Sequence, residues 1–434
     1  MKSIGIDIGT TNIGAVVLEN GRVVVRRTVE SRSFIPSPNS WERIQDPARI
    51  LPIATSLVDE LLAAHPDAAC IGVTGQQHGI VYLDSEGNPL SPLYTWQDGR
   101  GDQPFGDGPH TYVTLLQQET GCPLASGYGC VTHFYNLKNG LVPAGTSTFC
   151  AIHDFVAMKL AGLHSPLVDA SNAASFGLFD VATGRFDTRA AQNAGIHPSI
   201  FPSLAGNPVI GEYRGVPVAV AIGDNQASFL GAAATDPGTM LVNVGTGSQF
   251  SMLTSSYMKV DGLETRPFPG GGYLLVGASL CGGRAYAMLD NFFCNAVGMV
   301  TGNRPEHCYE AMGTAAGDMS ADGDPVAVTL FGGTRQDPSA RGALSGIDTD
   351  NFTPAALVRA FVRGIATELY DMSRLVEGAG TLERGKLYGS GNGLRMNALL
   401  REALEGLFGR PVILSDEPEE AACGAALFAQ KSFI

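Results

Sequence analysis

The sequence predicts a two-lobed α/β protein, and three observations carry that prediction. The chain opens as strand, tight turn and antiparallel strand. Ile4, Ile6 and Ile8 alternate with Gly5, Asp7 and Gly9, the run Gly9-Thr10-Thr11-Asn12 turns, and Ile13 to Leu18 is apolar and β-branched. The same arrangement returns at Thr239 to Leu253, where two apolar strands flank Gly245-Thr246-Gly247-Ser248. One copy near the start of each half indicates a duplicated architecture. Finally, a fully apolar run, Val216 to Ile222, reads as a buried strand feeding a helix through Gly223-Asp224-Asn225-Gln226.

The elements follow in order. Arg22 to Thr28 extends the first sheet, and the polar, Pro-rich Ser33 to Pro47 reads as loop. Asp46 caps a helix running through Leu62, with Pro47 at its first position. Cys70 to Thr74 is a short buried strand ending in Gly75-Gln76-Gln77-His78-Gly79. A Pro-punctuated strand leads to Thr95-Trp96-Gln97-Asp98-Gly99-Arg100. Asp224 falls at a strand end and a helix N-cap, with the helix over Ala227 to Ala234. Lys386 to Tyr388 is a strand, Gly389 to Gly393 a glycine-rich connection, and Leu394 to Phe408 a helix. Glu417 to Gln430 reads as a terminal helix packed on the second lobe.

Composition narrows the function classes. With 434 residues, 44% of them hydrophobic, the chain has ample core for two or three domains. A formal net charge of −14 argues against a nucleic-acid surface. No apolar run reaches bilayer length, and Met1-Lys2 leads straight into a strand, so neither a membrane span nor a signal peptide is expected. The cysteines at 70, 122, 130, 150, 281, 294, 308 and 423 form no CxxC pair and no zinc spacing. Scattered reduced thiols suit a cytoplasmic protein.

The hairpin turns offer backbone N–H groups and hydroxyls that can hold phosphate oxygens. Asp7, at the end of the first strand, could hold hydrated Mg²⁺. Trp96, Asp98 and Arg100 are a set a sugar wants, an apolar platform with charged groups for hydroxyls. The plainer readings are structural: a satisfied hairpin, a surface salt bridge beside a half-buried Trp, and a capping Asp224.

The two hairpins resemble the actin–hexokinase–Hsp70 ATPase superfamily, whose turns embrace the β- and γ-phosphates; no GxxxxGK[ST] loop is present. DIGTT at 7–11, GQQHG at 75–79, TWQDGR at 95–100, GDNQAS at 223–228, GTGSQ at 245–249 and GSGNGLRMN at 389–397 then resemble the FGGY carbohydrate kinases over nearly the whole chain. SGYGCVTHFYNLKN at 126–139, HDFVAMKLAGL at 153–163 and SNAASFGLFD at 171–180 are most similar to sedoheptulokinases, with xylulokinases next.

The resemblance implies two actin-like (ribonuclease H-like) lobes, 1–226 and 227–434. It implies ATP-dependent phosphorylation of a terminal ketose hydroxyl with Mg²⁺. Sedoheptulose is the first choice and D-xylulose the alternative. A sugar-responsive regulator or an assembly ATPase of the same fold ranks below both. Asp224 becomes the general base, and Asp7 the magnesium ligand. Thr10, Thr11, Asn12, Gly245, Thr246, Gly247 and Gln249 would contact phosphates, with Ser279 to Arg284 bordering them. Gly391, Asn392 and Asn397 would line the adenosine. Gln77, His78, Trp96, Asp98, Arg100 and Asn225 would hold the sugar. The expected partners are ketose and ATP, with a homodimer as the assembly. Three departures stand out: Gln77 replaces the family's usual Met, Gly333-Thr334-Arg335 lacks the usual Glu, and Ala356 and Arg363 occupy positions usually polar and acidic.

Overall fold

The structure is a computed structural model that describes residues 1–319, 322–334, 337, 339–377, 384–415 and 417–433. The chain divides into two compact units. The first comprises Met1–Gly231, Arg266–Gly272 and Glu419–Ile434; the second comprises Ala232–Thr265 and Tyr273–Pro418. The expected boundary near Gln226 lies inside the helix Asp224–Ala232.

The first unit is built on a seven-stranded sheet ordered Val209–Tyr213, Val216–Ala219, Ala68–Gly75, Lys2–Ile8, Asn12–Glu19, Arg22–Glu30, with Ile222–Gly223 also paired to Ala68–Gly75. The opening hairpin forms as expected, antiparallel, with Asp7 opposite Gly14. Its isoleucines point inward: Ile4, Ile6, Ile8 and Ile13 are fully buried in one core with the helix Pro47–Ala64. That helix starts as the sequence specifies, the Asp46 carboxylate accepting from Ala48 N–H at 2.9 Å. The loop before it differs from expectation in carrying two short strands, Phe34–Ile35 and Ile44–Gln45.

The terminal helix, Glu420–Ser432, corrects the expectation that it packs on the second lobe: it belongs to the first unit. The reason is small residues meeting small residues. A Cβ on Gly5 would stand 1.9 Å from Ala422 O, and one on Gly72 1.9 Å from Ala425 O. With the Ala-Ala-Cys-Gly-Ala-Ala face of the helix, these glycines let backbone lie almost on backbone. Sequence periodicity alone does not say which sheet such a face will find.

The buried run Val216 to Ile222 is interrupted. Val218 pairs with Ile71, and Ile222 with Thr74. Four steps on one strand therefore match three on the other, and the extra residue bulges, as bulges beside functional sites do to re-aim a side chain. Val220 N–H leaves the sheet to donate to Pro208 O at 2.7 Å.

The second unit has its own sheet, running Tyr273–Ser279, Ser248–Thr254, Met240–Val244, Leu387–Ser390, Val412–Leu414. The second hairpin forms as expected, Val244 pairing with Ser248. Helices Gly282–Thr301, Pro354–Glu377 and Ala398–Phe408 cover it, closing a core around Val242, Phe250, Leu369 and Leu404. Leu394 to Phe408 is not one helix but two, Asn392–Met396 and Ala398–Phe408. Asn397 breaks it, extended at φ −117° and capping the second piece through Leu400 N–H at 3.1 Å.

Candidate active site

In the first unit, sheet topology brings the chemistry together. Lys2–Ile8, Ala68–Gly75 and Ile222–Gly223 are parallel neighbours in register, Asp7 beside Thr74 and Gly223 beside Gly75. Their carboxyl ends therefore open at one place, where ligands bind in α/β sheets. Asp7, Gln76-Gln77-His78 and Asp224 all sit there.

Asp224 is the first residue of its helix, not the cap ahead of it. Its carboxylate accepts from Asn225 N–H at 2.7 Å and also from Gln77 N–H. Burial pushes its pKa up to about 6, against the opposing pull of the Asn225 amide and the Arg266 charge. Asp7 is pushed up to about 7, by burial first and then by the negative charges of Asp224 and Glu419. Its Oδ1 is shut from solvent with no hydrogen-bond partner among the described residues. A buried carboxylate oxygen without a donor, raised by two neighbouring carboxylates, fits a cation. Mg²⁺ held through Asp7 would relieve both defects.

The first turn is tied to the segments that carry Gln45, Gln76 and Trp96. Thr10 Oγ1 donates to Gln76 Oε1 at 3.4 Å and accepts from Trp96 Nε1–H at 3.1 Å. Gln45 Nε2–H donates to Thr10 O at 2.6 Å, and Gln76 Nε2–H to Gln45 Oε1 at 2.8 Å. Thr11 and Asn12 are exposed beside them, and Trp96 is 47% exposed, a ring open to a ligand.

The other sugar candidates divide. His78 holds a left-handed backbone (φ 72°) and stacks flat on Tyr128, ring centroids 4.5 Å apart. Its Nδ1–H donates to Ser175 O at 2.8 Å. Asn225 lies next to Asp224 with a buried Oδ1 that has no partner among the described residues. Asp98 and Arg100 instead pair with each other in the interior, Nε to Oδ1 at 2.5 Å, and are 1% and 2% exposed. Arg100 also donates to Asn136 Oδ1 at 2.7 Å and lies over the Tyr94 ring at 4.0 Å. Gln77 is buried as well: its amide donates to Ser171 O at 3.0 Å and packs where a Gly223 Cβ would be.

Several residues behind the site lie in stretches the sequence singled out, or far from it, without their roles being readable there. Ser171 Oγ accepts from Gly223 N–H at 3.1 Å. Asn172 Nδ2–H donates to Asp154 Oδ1 and to Ala221 O, while its Oδ1 faces His153 Nε2 at 2.7 Å. This buried net fixes the segment before Asp224. Glu419 and Arg266 reach the two aspartates from distant sequence, and no local pattern marks either one.

In the second unit, three segments meet. Gly283 N–H donates to Gly245 O at 2.9 Å and Arg284 N–H to Thr246 O at 3.0 Å, so the N-terminus of helix Gly282–Thr301 abuts the hairpin turn. Gly391, at φ 85°, lies so close to Val244 that a Cβ would be 2.5 Å from its carbonyl oxygen. Gly245 and Thr246 are exposed, Gly247 is half-buried, and Gln249 donates to Ser251 Oγ at 2.9 Å. Glycine backbone and a helix N-terminus gathered at one turn are suited to anions. Asn392 is exposed, whereas Asn397 is occupied as the cap described above. Ala356 is buried; Arg363 joins Arg359 on Asp324, each at 2.6 Å. Arg335 lies outside the described residues.

Comparison with known proteins agrees with this geometry. The N-terminal domain of the FGGY family of carbohydrate kinases matches residues 3–231, and its C-terminal domain matches 240–432. The chain is 28% identical over 476 residues to a sedoheptulokinase of Mus musculus, covering 98% of this chain and 96% of that protein. It is 28% identical over 458 residues to a glycerol kinase of Rhizorhabdus wittichii, covering 97% and 86%. The solved structure of a xylulose kinase from Rhodospirillum rubrum superposes with a TM-score of 0.84 at 24% identity, covering 100% of this chain and 90% of that one. The fold is the two-domain, actin-like α/β fold of these kinases, and the chain belongs to the FGGY family of carbohydrate kinases, ATP-dependent enzymes that phosphorylate sugars.

Proposed function

We propose that this enzyme moves the γ-phosphoryl group of ATP to a terminal hydroxyl of a ketose, with sedoheptulose giving sedoheptulose 7-phosphate as the first substrate and D-xylulose as the alternative. The observation that carries the chemistry is Asp224, a carboxylate at a strand end whose pKa is lifted to about 6. That value suits a base that is ionised at neutral pH yet able to take a proton. The sugar hydroxyl loses its proton to Asp224 as its oxygen attacks the γ-phosphorus and ADP leaves. Asn225 and the Nε2 of His78 orient the sugar, and the Trp96 ring supports its C–H face. Mg²⁺ held through Asp7 would supply charge neutralisation for the phosphates. Thr10, Thr11, Asn12, Gly245, Thr246, Gly247 and Gln249 are assigned to the phosphates. Gly391 and Asn392 are assigned to the adenosine, with Asn397 shaping that loop as a cap.

The choice of sedoheptulose rests on the sequence stretches named above and on the mouse and human relatives called sedoheptulokinase. Asp98, Arg100 and Gln77 support the site from behind instead of touching the sugar. Eight free cysteines suit a reducing compartment, and a cytoplasmic location is part of this reading. Among the described residues no helix is long and apolar enough to cross a membrane. A homodimer is part of it too, tested by light scattering.

The test is ADP release measured over a panel of sedoheptulose, D-xylulose, apulose and glycerol at equal concentrations. The highest kcat/KM on sedoheptulose supports the proposal. A highest value on glycerol would remove the ketose assignment, and release that no sugar stimulates would remove the sugar kinase reading of this site.

A further inference from the structure

We propose that Asp290, Cys294 and Cys308, with His307 orienting the Asp290 carboxylate, form a site for one thiophilic divalent cation, with Zn²⁺ the fitting ion. Asp290 and Cys294 are four residues apart on helix Gly282–Thr301, hence on one face of it. Cys308 immediately precedes the helix Tyr309–Ala316. Linear spacing showed no metal pattern because the two pairs come from different segments. In the fold, one ligand atom each from Asp290, Cys294 and Cys308 lie within 4.8 Å of one another.

The geometry separates the chemistries open to such a group. The two Sγ atoms are 3.4 Å apart, and Cys294 Sγ is 3.9 Å from Asp290 Oδ1. Two thiolates bound tetrahedrally to zinc at ~2.3 Å sit roughly 3.8 Å apart, a few tenths from what is found. A disulfide would need them to close to ~2.05 Å. His307 Nδ1 lies 3.0 Å from Asp290 Oδ2, where it orients the carboxylate, and the fourth position of the ion is left to solvent. Asp290 and Cys294 are buried, while the His307 side chain is 59% exposed, which gives the ion a way in. The soft sulfur pair with one carboxylate selects zinc over magnesium. Binding expels the two thiol protons.

The experiment uses the full-length enzyme, reduced, stripped by chelator and titrated with Co²⁺ and then Zn²⁺. The expected result is one Co²⁺ bound per chain, with the visible bands and thiolate charge transfer of a tetrahedral site. Zn²⁺ should displace it and raise the melting temperature. Cys294→Ser and Cys308→Ser should each lose the thiolate band. His307→Ala, a change at an exposed side chain and so safe for folding, should weaken Zn²⁺ binding by about 10–100-fold. A reduced wild-type protein without the tetrahedral spectrum overturns the site. So does a thiolate band that survives in Cys294→Ser, or a Cys294–Cys308 disulfide as the resting state of freshly purified protein.

Discussion

Trp96 donates its indole N–H to the Thr10 hydroxyl at 3.1 Å, so an aromatic ring assigned to the sugar is fastened to a turn assigned to phosphate. The same hydroxyl donates to Gln76 at 3.4 Å. One small side chain thus sets the position of two segments, each more than sixty residues from it in sequence.

Trp96→Phe tests that fastening. Phenylalanine keeps an apolar platform and loses only the donor. A typical hydrogen bond is worth about 0.5–1.5 kcal/mol, and that converts to roughly a two- to tenfold fall in kcat/KM for the ketose. Melting temperature should move little, since the ring is 47% exposed. Steady-state kinetics with each substrate varied would check this. Wild-type values for both substrates would show that the bond is incidental.

Asp224→Asn separates base from scaffold. Asparagine can still accept from Asn225 N–H and Gln77 N–H, so the start of the helix should survive. It cannot take the proton, and turnover should fall roughly 10²–10⁴-fold with ATP affinity kept. In the wild type at saturating Mg²⁺, kcat/KM should fall on acidification through about pH 6, because the raised carboxyl is then protonated. An acid limb centred near the ordinary carboxylate value, or an active Asp224→Asn enzyme, would assign the proton transfer elsewhere.

Both hairpins were legible because each is written in contiguous residues: an apolar strand, then glycine and threonine. The position of Asp224 was legible for the same reason, but its bulged approach was not. Bulging depends on Val220 bonding Pro208, which no local pattern encodes. Arg100 and Asp98 read as ligand-facing because charge normally seeks water; here each neutralises the other in the interior, beside Tyr94. The docking of the terminal helix and the arrival of Glu419 beside Asp7 are long-range matters of glycine complementarity, invisible to periodicity.

Gln77→Met, which installs the family's usual residue, addresses sugar choice. Gln77 stands where the family usually has Met, a departure that bears on sugar choice. The structure spends its amide on Ser171 O, behind the base. Methionine would remove one donor from that buried carbonyl, a hydrogen bond worth about 0.5–1.5 kcal/mol. The expected outcome is a lower melting temperature and lower kcat on every ketose, with the ratio of kcat/KM between sedoheptulose and xylulose unchanged. A ratio shifted tenfold or more would place Gln77 against the sugar after all.

Asp7→Asn should expose a conflict between stability and function. Burial and the nearby charges of Asp224 and Glu419 raise Asp7 from 3.8 to about 7 in the folded protein. Between those values the native state binds more protons than the unfolded chain, so stability falls as pH rises through that window. Above about pH 7 the full penalty is present; below 3.8 there is none. Asparagine removes it. Because Asp7 is partly accessible, the relief is set at roughly 1–3 kcal/mol, less than the whole displacement would give. Without metal at pH 8, the variant should therefore melt about 1–3 °C higher than wild type, with no difference near pH 4. Millimolar Mg²⁺ and ATP should narrow the gap by stabilising only the protein that can hold the ion, while turnover of the variant collapses. Calorimetry at the two pH values, with and without Mg²⁺ and ATP, decides it. A variant less stable than wild type at pH 8 without metal would mean that Asp7 is a satisfied structural carboxylate and not one waiting for a cation.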